Sequence, residues 1–228
     1  MPTKEIICLA YSTKLGGNCF AGIDLSTGLW IRPISGEING TLSDNDCCMS
    51  SGDGKYLLPN ILDVIAIDLL APEPSRHQPE NWRISGAEWR RLRRADLTDM
   101  ALLKGCLADD PELFLGYERY VSREDVDSRP PKSSLALIKP ESLWWSPKIG
   151  KYRRRGLKGT FTFIGETYEL PLTDGQYEAK LPMDRTTNGL TNAGIDTWLT
   201  ISLSDLDKDS GRYYKLIAGV VELPRGGY

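Results

Sequence analysis

The sequence predicts a mainly β chain built as two tandem small barrels, with one principal helix in the N-terminal half. Short apolar runs recur with period-two alternation and end at Gly, Pro, Asn or Ser turns. One stretch, Ala87 to Leu107, instead carries apolar residues at helical spacing. Arg129-Pro-Pro-Lys marks a boundary between residues 1–130 and 131–228. A chain of 228 residues that is 40% hydrophobic and 26% charged can bury the cores of two small domains.

The opening EIICLAYS is an unbroken apolar run, as expected for a strand buried on both faces. Cys19 to Leu25 alternates, with Cys19, Ala21, Ile23 and Leu25 on one face; Ser26-Thr27-Gly28 reverses the chain, and Leu29 to Ile34 returns antiparallel. A polar, glycine-rich excursion from Gly36 to Lys55 precedes the strand Leu62 to Ala71. HQPENWRIS carries a proline turn into a short strand. The predicted helix follows, with Trp89, Leu92, Met100, Leu103 and Leu107 as its apolar positions. In the second half, strands are expected at Leu135–Lys139, Gly159–Ile164, Tyr168–Leu172, Trp198–Leu203 and Tyr213–Leu223. Gly165-Glu166 fits a two-residue hairpin turn, which puts Phe161 and Phe163 on one face. Five strands per module suit the five-stranded Greek-key barrel called the OB-fold.

Composition excludes several classes of function. The formal net charge of -3 argues against a protein that coats polyanions by bulk charge, so any nucleic-acid contact must be local. No apolar stretch reaches the roughly 20 residues of a membrane span, and MPTKEIICLAYS is too short an apolar run for a signal peptide, which together point to the cytoplasm and to no membrane partner. Five cysteines without a CxxC pair, and the single histidine His77, predict free thiols, no metal and no cofactor. There is no GxSxG, HExxH or GxxxxGK[ST] motif; His77 with Glu80 is the best candidate for proton sharing, yet no nucleophile accompanies it. A non-enzymatic protein is the expectation.

Several segments, KEIICLAYSTKLGGNCFAGIDLSTGLWIRPIS, HQPENW, FTFIGETYELPLTD and WLTISLSDLDKDSGRYYKLIAGVVEL, resemble the bacterial dual OB-fold domain family over nearly the whole chain. The resemblance implies two tandem OB-folds in a cytoplasmic bacterial protein, an association with conflict and defence systems, and nucleic-acid binding. It implies no chemistry. Lys14, Gly17, Trp30, Arg32, Pro33, Gln78, Asn81 and Trp82 fall inside its motifs.

Two groups are candidates for contact with nucleic acid. Strand alternation puts Trp30 and Arg32 on one face, opposite Leu29 and Ile31, where they either form a stacking ring beside a phosphate-reaching cation or pack under the long loop with Arg32 paired to an acid. Lys14 and Trp82 belong with this group. The second group is KIGKYRRRGLK, in which Lys148, Lys151, Arg153, Arg154, Arg155 and Lys158 surround Tyr152 with no acid among them, just after Trp144-Trp145. It is either a polyanion-binding loop or a solvated one. WRRLRR, Trp89 to Arg94, reads as an ion-paired helix face. The expected ligand is nucleic acid, most simply a single strand; the alternatives are a small-nucleotide sensor and a subunit that binds only a protein partner.

Overall fold

The computed structural model describes residues 1–14, 17–37, 40–50, 56–149, 155–181, 184, 186–188 and 195–224. The chain divides into two compact units, Met1–Cys106 and Leu107–Tyr228.

The first unit contains β1 (Thr3–Lys14), β2 (Gly17–Asp24), β3 (Trp30–Ile34), α1 (Asp44–Cys47), β4 (Met49–Ser50), β5 (Tyr56–Leu57), β6 (Asp63–Pro72), β7 (Asn81–Ile84), β8 (Arg90–Arg94) and α2 (Leu97–Gly105). The sheet runs β1-β2-β3-β7-β6, and β6 pairs back onto β1, closing a five-stranded barrel. Closure depends on β1, whose residues Ile6 to Lys14 pair with β2 while Thr3 to Ile7 pair with β6. The apolar run Ile6 to Tyr11 is accordingly buried on both faces. At Gly22 a Cβ would lie 2.0 Å from the Ile7 carbonyl oxygen, so only glycine lets β2 approach β1 this closely. Ile6, Cys8, Phe20, Ile31, Ile65, Ile67 and Leu69 fill the interior.

The expected helix over Ala87 to Leu107 is corrected: Arg90 to Arg94 form a strand on the outer edge of β6, and the helix covers only Leu97 to Gly105. Trp89 is fully buried in the barrel core, its ring centroid 5.0 Å from that of Phe20 in an edge contact. The apolar positions that mimic one helical stripe therefore serve two elements. Asp96 decides the break, because its carboxylate accepts the Thr98 and Asp99 amides and Asp99 returns a bond to the Asp96 amide. That capping box starts a helix where the strand ends. Leu29, placed by alternation on the same face as Ile31, lies outside β3 and is 67% exposed.

The second unit contains β9 (Tyr120–Ser122), α3 (Arg123–Ser128), β10 (Leu135–Ile138), β11 (Ser142–Ile149), β12 (Arg155–Phe163), β13 (Glu166–Pro171), α4 (Gly175–Glu178), β14 (Thr187–Asn188), β15 (Ile195–Asp207) and β16 (Arg212–Pro224). Two sheets, β10-β15-β16-β9 and β13-β12-β11-β14, enclose a core of Leu143, Trp145, Phe161, Phe163, Tyr168, Leu199, Ile201 and Ile217. Tandem OB-like barrels are thus the architecture. The division at Cys106 precedes the expected one at residue 130, because β9 pairs with β16 and Leu113 lies in the second core. The β12–β13 turn falls on Ile164-Gly165, one residue earlier than expected, with φ of 49° and 79°. Two positive φ values match the right-handed strand twist. Phe161 and Phe163 share the buried face, as alternation requires.

Candidate functional site

In the first unit, β3 turns Ile31 and Pro33 to a buried face and leaves Trp30 and Arg32 half-buried on the other. β3 runs parallel to β7, with Arg32 beside Asn81 and Pro33 beside Trp82, so two motifs far apart in the chain meet in one ladder. Arg32 Nε is 3.4 Å from Glu80 Oε1, the two side chains being 11% and 4% exposed. The Arg32 amide also donates to the Glu80 carbonyl at 3.0 Å. The Arg32 charge is therefore engaged within the fold, and removing either partner would strand the other charge away from water. Trp82 packs against the barrel core with Lys4 Nζ 5.7 Å from its ring centroid, and Lys4 is held 2.8 Å from Asp24.

HQPEN is a hydrogen-bonded turn in front of β7. The Gln78 amide donates to Ser75 Oγ at 3.1 Å, Ser75 Oγ lies 3.3 Å from His77 Nδ1, and Asn81 Nδ2 donates to Gln78 Oε1 at 3.3 Å. Gln78, Glu80 and Asn81 are all buried. The Lys14 side chain lies outside the described residues.

The second unit brings a different set of groups to one surface. Along β11, Leu143 and Trp145 enter the core, which by alternation turns Trp144, Ser146 and Lys148 to solvent; Trp144 is 46% exposed and Lys148 is exposed. On β12, Thr160 sits opposite Trp144, and Lys158 opposite Ser146. On β13, Glu169 sits opposite Thr160, and Lys158 Nζ reaches it at 2.7 Å. This face therefore presents an open indole, hydroxyl groups and two lysines, with Lys148 next to the Ile149 end of β11 and Trp144 four residues nearer its start. Lys151, Tyr152, Arg153 and Arg154, and the Arg155 side chain, lie outside the described residues. Trp144 was legible only as half of a Trp-Trp pair. Which tryptophan faces outward depends on the register that buries Leu143.

Residues 4–220 match the family model described as a dual OB-containing domain. The chain belongs to that family. The matched span runs through both barrels of this dual OB-containing chain. No curated protein matches it significantly. Among solved structures, the tetrameric p202 HIN2 is similar over 98% of this chain and 91% of that one, with 10% sequence identity and a TM-score of 0.31.

Two further groups in this dual OB-containing chain carry perturbed ionisation. Cys47, buried between α1 and β1, lies 3.5 Å from Tyr11 Oη, and burial pushes the Cys47 thiol and the Tyr11 hydroxyl up. A thiol so placed is a poor nucleophile. Lys215 on β16 is fully buried, and desolvation pushes its ammonium group down to about 8 even though Glu112 and Glu118 oppose the shift. Its Nζ donates to the Gly116 carbonyl and lies 5.7 Å from the Tyr168 ring centroid. Tyr168 Oη donates to the Pro111 carbonyl and accepts from the Leu113 amide, so both side chains pin the segment whose Phe114, Leu115 and Gly116 adopt positive φ. Among the described residues, no group of three or more His, Cys, Asp or Glu side chains is placed to hold a metal ion, and no helix is long and apolar enough to cross a membrane.

Proposed function

We propose that the protein is a non-enzymatic nucleic-acid-binding module whose second barrel holds a single strand on the solvent-facing side of β11 and β12. The observation that carries the proposal is the 46% exposed Trp144, on the same face as Lys148 and Lys158. Tryptophan offers a base a large π surface with few rotamers to lose, and cations beside it meet the backbone, the combination by which OB-folds bind single strands. Membership of a dual OB family agrees with this use. Trp30 and Arg32 play a smaller part, since Arg32 is engaged by Glu80. The bacterial, cytoplasmic and defence-related setting implied by the family resemblance supplies an occasion for such binding.

The test is anisotropy of a labelled oligothymidylate at several salt concentrations. Trp144→Ala should weaken binding roughly five- to 150-fold, the equivalent of about 1 to 3 kcal/mol of stacking, with little change in salt dependence. Joint replacement of Arg153, Arg154 and Arg155 by Ala should flatten the log-log salt slope by roughly 0.7 per lost phosphate contact. Unchanged binding in both variants would refute the proposal.

A further inference from the structure

The solvent-facing side of β11–β13 is not uniformly receptive to an anion. Its cross-strand row Trp144, Thr160, Glu169 places a carboxylate two strands from the indole, about 10 Å away at the usual strand spacing. Glu169 is 54% exposed and lies 2.7 Å from Lys158, itself 31% exposed. Lys148, at the other end of the face on β11, forms no ion pair among the described residues. A strand whose base stacks on Trp144 thus meets a cation if its backbone continues along β11 toward Lys148, and a carboxylate if it crosses to β13.

We propose that Glu169 regulates this site: it confines a bound single strand to the β11 side and holds Lys158 in an ion pair that a phosphate must compete with. The inference rests on the nucleic-acid reading of the same face. An exposed pair of this kind is weak, so Lys158 can exchange its carboxylate for a phosphate at small cost, and Glu169 acts as an attenuator that lowers affinity and keeps the route across β13 unfavourable.

Removing the carboxylate while keeping its shape, Glu169→Gln, releases Lys158. With a labelled oligothymidylate of about fifteen nucleotides, long enough for one OB-fold, E169Q should bind about two- to fivefold more tightly than the wild type. Its salt slope between about 50 and 200 mM should steepen by roughly 0.7, one added phosphate contact. Lys158→Ala should itself weaken wild-type binding, and E169Q should give no gain in affinity when Lys158 is already Ala. Both residues are surface groups, and melting curves confirm that each variant is folded. An unchanged affinity and slope in E169Q, or a gain that survives K158A, overturns the inference while leaving the Trp144 result standing. No binding by the wild-type protein overturns the nucleic-acid reading, and this inference with it.

Discussion

Lys215→Met tests the second core through its pH dependence. Desolvation takes the Lys215 ammonium group from 10.5 to about 8, a shift of about 2.5, and each unit is worth about 1.36 kcal/mol. Below pH 8 the native state therefore keeps a buried charge at a cost of about 3 kcal/mol. Between pH 8 and 10.5 the unfolded chain binds more protons at this site than the native one, so stability from Lys215 rises with pH across that window. By pH 10 the remaining cost is about 0.8 kcal/mol, a gain of about 2.5 kcal/mol over pH 7. Methionine has similar length and no charge, so the variant lacks this gain, although it also leaves the Gly116 carbonyl without its donor, at about 1 to 3 kcal/mol. These two effects leave the variant close to wild type at pH 7. The assay is urea unfolding of both proteins from pH 7 to 10, with the wild-type minus variant difference plotted against pH. Titration of the buried thiols and phenols contributes equally to both and cancels. The difference should grow by about 2 to 3 kcal/mol in favour of the wild type. A difference that stays flat would show that Lys215 is not buried as a titrating amine, and the ties to Gly116 and Tyr168 would then be wrong.

Three further outcomes are expected. Trp89→Ala should lose about 3 to 5 kcal/mol in urea unfolding, because the ring is buried against Phe20; a loss under 1 kcal/mol would place Trp89 at the surface. Asp99→Asn should destabilise by roughly 1 to 3 kcal/mol near neutral pH, since the Arg93 guanidinium beside Asp99 holds its carboxyl below the usual range. That stability is present above the unfolded value near 3.8 and is lost as pH falls through the lower native value, so wild-type and variant curves should converge in acid; parallel curves would contradict the pair. Cys47 should resist a water-soluble disulfide reagent in the native protein and react on unfolding, which mass mapping of labelled peptides would show, and rapid native labelling would contradict its burial beside Tyr11.

Much of the strand content was legible because local pattern and burial coincide. Ile6 to Tyr11 reads as a strand buried on both sides and is one, since a barrel-closing strand has no face left for water. Phe161 and Phe163 share a face for the same period-two reason. The stretch after Gly86 misled, because Trp89, Met100 and Leu103 satisfy a helical period while belonging to a strand edge and a short helix. The Asp96-Leu-Thr-Asp99 capping box was the local signal that could have separated them.

The candidate site divides in the same way. Side-chain alternation, set by backbone geometry alone, placed Trp30 with Arg32 opposite Ile31, and the basic composition of Lys148 to Lys158 stands in the sequence itself. Partnership did not, because it depends on which distant strand arrives alongside. Parallel pairing of β3 with β7 brings Glu80 to Arg32 and occupies its charge, whereas the register of β11 against β12 sends Trp145 inward and leaves Trp144 to solvent with Lys158 and Glu169 on its flank. Local sequence determined which groups exist and which face each shares with its near neighbours. Only the tertiary pairing decided which of those charges are spent inside the fold and which face water, because ion-pair energy depends on a separation of a few ångströms that near neighbours in the chain do not set.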